Sequence, residues 1–206
     1  MNEDEYLTID SPQQAEIKIK GSSFIGIAQP ITSEIHAKNF ITQLSNKYFD
    51  ASHHCYAYII GLGISQLTRF SDAGEPSGTA GQPILNVLLG QKLSNVIVVV
   101  VRYFGGTKLG KGGLVRAYVN CAFEVIKKCT IVKKYHYQTI TIEFEYDLTG
   151  AIRRVIDLNK AKIISSTYDQ KTKLVVSLRK SFAKEFERKL VEATSGKIAI
   201  TKDGLP

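Results

Sequence analysis

The apolar run VIVVVV, Val96 to Val101, passes into RYFGGTKLGKGG and then into residues with helical spacing. Gly105, four residues, Gly110 and Lys111 reproduce the spacing of a Walker A loop in its required setting of strand, loop and helix. The next position breaks the match: such a loop needs a Ser or Thr hydroxyl to hold magnesium, and this chain has Gly112. No apolar strand ending in an aspartate clearly supplies the second metal contact either, so P-loop nucleotide hydrolysis is set aside. A more general anion site survives, because a glycine-rich turn at a helix start exposes backbone N–H groups and the helix dipole favours negative charge. Arg102, Lys108, Lys111 and Arg116 put four cations within fifteen residues, with no acid among them. Such a loop can grip a backbone phosphate of RNA without doing chemistry on it. The plainer alternative is a tight connection whose lysines are merely solvated.

A second concentration of chemistry lies in SDAGEPSGTAGQP. Arg69, Ser71, Asp72, Glu75, Ser77 and Thr79 crowd this loop and its approach, and with His54 as a base they could serve acid/base or nucleophilic catalysis. No G-x-S-x-G elbow accompanies them. The alternative is that Asp72, Ser77 and Thr79 cap turns and the following helix while Arg69 pairs with Asp72 or Glu75. A binding pocket is therefore favoured over catalysis, and no residue is singled out as catalytic. His53, His54 and Cys55 also invite a zinc hypothesis, but neighbouring strand residues face opposite ways, so only His53 and Cys55 could converge. The sequence calls for no metal and no cofactor.

Elements that would position these groups follow from periodicity. Strands are expected around Tyr6 to Ile9, Ala15 to Lys20 and Ser23 to Ala28, then a helix burying Ala37, Phe40, Ile41, Leu44 and Tyr48. Cys55 to Leu62 and Leu67 to Phe70 read as a hairpin around Gly61 and Gly63. A helix with Pro83 in its first turn precedes the central strand Val96 to Phe104, and a helix from about Gly112 to Cys129 follows. Further on, Tyr137 to Asp147 alternates strictly, with Ile140, Ile142, Phe144 and Tyr146 on one face. A helix, strands at Lys162 to Thr167 and Lys173 to Arg179, a second helix and a strand at Lys197 to Thr201 complete a βαββαβ, ferredoxin-like order. KKYHY, Lys133 to Tyr137, reads as a short, fixed joint, giving domains 1–134 and 135–206.

At 206 residues, 44% hydrophobic and 22% charged, the chain has the composition of an ordinary globular protein. Its net charge of +8 suits polyanionic partners such as RNA. The excess is spread evenly, with 14 Lys and Arg against 10 Asp and Glu before residue 135 and 13 against 9 after it. Three cysteines without a secretory segment read as free thiols in a reducing compartment, and the acidic start MNEDEY is no signal peptide. The longest apolar run is too short to span a bilayer. A cytoplasmic protein with no membrane partner is expected. The ferredoxin-like part lacks the aromatic pattern of an RNA-recognition motif: its third strand reads TKLVVSLRK.

Four stretches together, KGSSFIG, FDASHHCYAYI, TRFSDAGEPSGTAGQPIL and VVRYFGGTKLGKGGLVRAY, resemble the IMPACT/YigZ family. The resemblance implies an α+β protein of two domains. The first would be a two-layer sandwich like a ribosomal small-subunit protein domain, and the second would resemble the last domain of elongation factor G. It also implies a surface built from the HHC strand, the DAGEPSGTAG loop and the RYFGG loop, onto which His54, Arg69, Asp72, Glu75, Ser77, Thr79, Arg102, Tyr103, Gly105, Gly106, Lys108, Gly110 and Arg116 carry over. Eukaryotic members of the family are linked to translation regulation through a starvation-responsive kinase pathway and use an extra N-terminal protein-binding domain for it, so that role is not transferred. The expectation is an RNA- or ribosome-binding protein with a role in translation regulation. The alternatives are an enzyme acting on a phosphorylated small molecule and a regulator that works through a protein partner.

Overall fold

The computed structural model describes residues 4–202, apart from the side chain of Ile64. It divides into two compact units: Tyr6–Lys134 forms one, and the chain from Tyr135 onward forms the other together with the residues up to Glu5.

In the first unit, β2 (Gln13–Ile19), β3 (Ser22–Pro30), β4 (His53–Ile60), β5 (Leu67–Ser71) and β6 (Val96–Tyr103) make an antiparallel sheet of order β2-β3-β6-β4-β5. The central strand β6 is apolar on both faces because both are covered. Val96, Val98 and Val100 join Cys55, Ala57 and Ile59 of β4 against α2 (Gly81–Gly90) and α3 (Gly110–Lys128). Ile97, Val99 and Val101 join Tyr58 against Ala37, Phe40 and Leu44 of α1 (Glu34–Lys47) on the far face. Helices thus cover both faces of the sheet, α2 and α3 on one and α1 on the other. Helix α1 begins where the Ser33 hydroxyl accepts the His36 N–H at 3.1 Å, a side-chain cap with Glu34 favourably placed in the first turn. Leading into and out of this unit, β1 (Glu5–Ile9) and β7 (Ile131–Tyr135) pair as a two-stranded ribbon.

The second unit has β8 (Tyr137–Phe144), α4 (Thr149–Leu158), β9 (Lys162–Tyr168), β10 (Thr172–Arg179), α5 (Ala183–Ala193) and β11 (Ala199–Lys202), the expected βαββαβ order, with sheet order β11-β8-β10-β9. Strict alternation on β8 and β10 turns Ile140, Ile142, Phe144, Leu174, Val176 and Leu178 onto Ile152, Ile156, Phe186 and Leu190 of the two helices. The buried Asp4 carboxylate belongs to this unit. It accepts Arg179 at 2.8 and 3.2 Å, the Ser181 N–H at 3.1 Å and the Ser181 hydroxyl at 2.6 Å. Arg179 and Ser181 hold that carboxyl far below the usual carboxylate range against the opposing pull of burial. Among the described residues no helix is long and apolar enough to cross a membrane.

Candidate functional site

The site lies where β3 begins, β4 begins and β6 ends. The pairing register sets Arg102 opposite both Phe24 and His53, so all three side chains leave the sheet on the face that carries α2 and α3. Arg102 is there almost enclosed, its side chain 6% exposed, and it donates to Glu75 Oε1 at 2.5 Å. Glu75, 3% exposed, comes from the loop between β5 and α2. The Tyr118 hydroxyl of α3 donates to the same oxygen at 2.8 Å, and the Cys55 thiol of β4 donates to the Tyr118 oxygen at 3.3 Å and to the Asp72 carbonyl at 2.9 Å. His53 Nε2 stands 3.9 Å from Glu75, with Nδ1 2.9 Å from the Ala73 carbonyl. This polar knot ties the two loops to the sheet. Arg102 Nε, also buried, has no hydrogen-bond partner among the described residues.

Asp72 does structural work in the knot. Its carboxylate accepts backbone N–H groups of Gly78 at 2.8 Å, Ala80 at 2.9 Å and Gly81 at 2.8 Å, and so satisfies the orphan donors at the start of α2. Burial disfavours its charge, but the three donors outweigh burial and keep the carboxyl below its ordinary range. Glycine is required at 81, because a Cβ there would lie 2.7 Å from the Ser71 carbonyl carbon. Burial also pushes the Cys55 thiol up to about 12, and the Tyr118 hydroxyl higher than its usual value, so at rest neither is an activated nucleophile.

Above the knot runs the glycine loop. Lys20 and Gly21 turn β2 into β3 with φ of +46° and +80°, the left-handed pair of a tight hairpin, and Gly105 packs directly on that turn. A Cβ on Gly105 would overlap the Gly21 carbonyl carbon and the Ser22 nitrogen. The Ser22 hydroxyl fixes the same spot, accepting the Gly105 N–H at 3.1 Å and Arg102 at 3.4 Å. From this anchor the chain reaches α3, which has no side-chain cap and no acid in its first turn. Lys108, Lys111 and Arg116 are exposed, and no ion pair reaches them among the described residues. A Cβ on Gly112 would lie 3.7 Å from an Arg116 guanidinium nitrogen, so Arg116 reaches back toward the helix start.

Several expected members separate. Arg102 is locked to Glu75 inside the protein, apart from the exposed Lys108, Lys111 and Arg116 with which the sequence groups it. Tyr103 points to the α1 face and donates to Asp50 at 2.8 Å. His54 also turns to that face, its Nε2 3.0 Å from the Tyr48 carbonyl, so it is not the histidine of the Asp72 loop. Arg69 lies opposite Tyr58 on the α1 side and donates to the Thr68 carbonyl, not to Asp72 or Glu75. Ser77 is exposed, and the buried Thr79 donates its hydroxyl to the Pro76 carbonyl at 2.6 Å. Gly106 and Gly110 shape the loop with φ of +84° and +70°. The knot adds His53, Cys55, Tyr118 and Ser22, which were not expected in the pocket. The parity of β4 already paired His53 with Cys55. Nothing local marks Tyr118, which lies on the same buried stripe of α3 as Leu114 and Cys121.

Comparison with known proteins places this arrangement. The Impact N-terminal domain family matches residues 20–126, which span the knot and the glycine loop, and a domain of unknown function, DUF1949, matches residues 142–197. An IMPACT family member of Haemophilus influenzae is 32% identical over 95% of this chain and 96% of its own length. The IMPACT family member YigZ of Escherichia coli is 35% identical over 89% and 90%. YvyE of Bacillus subtilis, in the same family, is 32% identical over 97% and 91%. A crystal structure described as that of a hypothetical protein superposes with a TM-score of 0.74 at 33% identity, covering 98% of this chain and 99% of the other. With matches of this extent across both units, the chain belongs to the IMPACT family.

Proposed function

We propose that this protein binds RNA, free or in the ribosome, by gripping backbone phosphates at the start of α3, and that it acts in translation regulation through that contact. One observation carries the reading: Lys108, Lys111 and Arg116 gather at the positive end of a helix macrodipole that has no side-chain cap, with no counter-ion among the described residues. Each cation there costs about 0.3–1 kcal/mol against the dipole, a local conflict that a bound phosphate reverses. The N–H groups of Lys111 and Gly112 lie on an exposed turn, open to the same anion. The knot below contributes rigidity, since Arg102 and Glu75 join the two loops that frame the surface.

Binding of ribosomal and transfer RNA across a salt series tests this. The double variant Lys108→Ala, Lys111→Ala should weaken binding of every RNA and flatten the slope of log K against log salt by about 1.5, because each lost phosphate contact contributes about 0.7–0.9. Its melting temperature should not fall and should rise by a few degrees, because both side chains are exposed and neither then opposes the dipole. An unchanged affinity and slope would remove the loop as the RNA site. Stabilisation by nucleotides or sugar phosphates, without RNA binding, would assign the site to an enzyme of phosphorylated small molecules.

A further inference from the structure

Two large aromatic side chains stand exposed beside the cationic loop. Phe49, in the connection from α1 to β4, is 83% exposed, and Phe104, directly after β6, is 50% exposed. Hydrogen bonds tie the segments that carry them together. Ser52 donates its N–H to the Arg102 carbonyl at 2.8 Å and accepts the Phe104 N–H on its hydroxyl at 3.2 Å, while Tyr103 reaches back to Asp50. Beneath Phe104, the Arg102 guanidinium lies 5.6 Å from the ring centroid, itself pinned by Glu75. The ring is thus held by a buried cation and offers its remaining surface to solvent. From Phe104 the chain runs straight through Gly105, fixed on the Gly21 turn, to Lys108 and Lys111.

Exposed rings next to unpaired cations meet both needs of an unpaired nucleic-acid strand, which presents phosphates and free base faces together. A duplex keeps its base faces stacked and offers only phosphates, sugars and groove edges. Resting on the RNA-binding reading above, we infer that this surface takes single-stranded nucleic acid, with bases stacked on Phe104 and Phe49 and phosphates on Lys108, Lys111 and Arg116. Recognition of this kind tolerates any base, because every base has a π-face. The Phe104 ring is held in place before the strand arrives, so little of its ordering is lost on binding.

The test uses the whole protein and three short oligonucleotides of one length: a single strand, the same strand with abasic sites, and the duplex. Wild-type protein should prefer the single strand to the other two. Phe104→Leu and Phe49→Leu keep apolar bulk but lose the ring, and each should lower single-strand affinity about fivefold or more. Neither should change the salt slope, since no charge is removed. Their melting temperatures identify any variant that fails through folding, and the abasic comparison on wild-type protein needs no variant. Equal binding of the abasic strand or the duplex, or unaffected Leu variants, would overturn the stacking. If Lys108→Ala, Lys111→Ala still flattens the slope in that case, the phosphate grip stands and only the stacking falls. Absence of binding to every probe overturns both.

Discussion

Glu75→Gln is the sharpest perturbation of the knot. It keeps the side chain's shape and removes the charge that Arg102 faces at 2.5 Å, with the two groups 3% and 6% exposed. Arginine side chains stay charged in proteins, and Arg102 Nε already lacks a partner among the described residues, so the variant leaves a buried guanidinium without its carboxylate. Breaking a buried pair from one side costs about 3–5 kcal/mol. For a unit of this size about 1 kcal/mol moves the midpoint by roughly 3–5 °C, so thermal unfolding should fall by about 10–20 °C. Arg102→Met should cost a similar amount, because it strands the Glu75 carboxylate. The double variant should recover much of the loss, since both charges leave together. Calorimetry on the four proteins measures the coupling. Single variants that each lose under about 1 kcal/mol, with losses that simply add, would refute a buried charge clamp. Salt-dependent RNA binding of the folded double variant adds a second check: its slope should match wild type, because neither residue reaches solvent.

Gly105→Ala should destabilise by more than about 3 kcal/mol in urea unfolding, because its methyl group would collide with backbone on the Gly21 turn, which cannot swing aside. Gly112→Ala, with only ordinary contact to Arg116, should be neutral or stabilise by up to about 1 kcal/mol, and equal losses at both sites would contradict the packing. Asp72→Asn should cost about 1–2 kcal/mol at pH 7 through the weakened start of α2. The folded carboxyl lies below its unfolded value of about 3.9, so its contribution is complete above that pH and is lost as pH falls through the depressed value. The gap between wild type and Asp72→Asn should therefore close below about pH 4 in acid unfolding curves, and a gap that persists there would show that the caps do not depend on charge.

Elements with one buried face were legible in the sequence. The alternation of Ile140, Ile142 and Phe144 and the helical spacing of Phe40 and Leu44 each report a local period set by the core they face. The strand β7 escaped notice, since Ile131–Tyr135 is mostly exposed and owes its conformation to pairing with β1, more than a hundred residues earlier. The cationic loop was legible for a similar local reason, as a run of glycines and bases between strand and helix. The fate of Arg102 was not. Its partner lies 27 residues away, and only the folded register decides that the charge turns inward to Glu75 while Lys108 stays outside. The choice between His53 and His54 is a single step of strand parity, which the start of β4 fixes.

The clamp on Asp4 gives the two units an unequal standing in the chain. The segment Tyr6–Lys134 is in effect an insertion, entering by β1 and leaving by the adjacent β7, within a unit assembled from the segments on either side of it. During synthesis Asp4 emerges 175 residues before Arg179, with Ser181 following it. The inserted unit can finish folding while the other still waits, and a fragment starting at residue 135 would carry Arg179 without its carboxylate. A cut that yields an intact second unit must keep Asp4 attached to it.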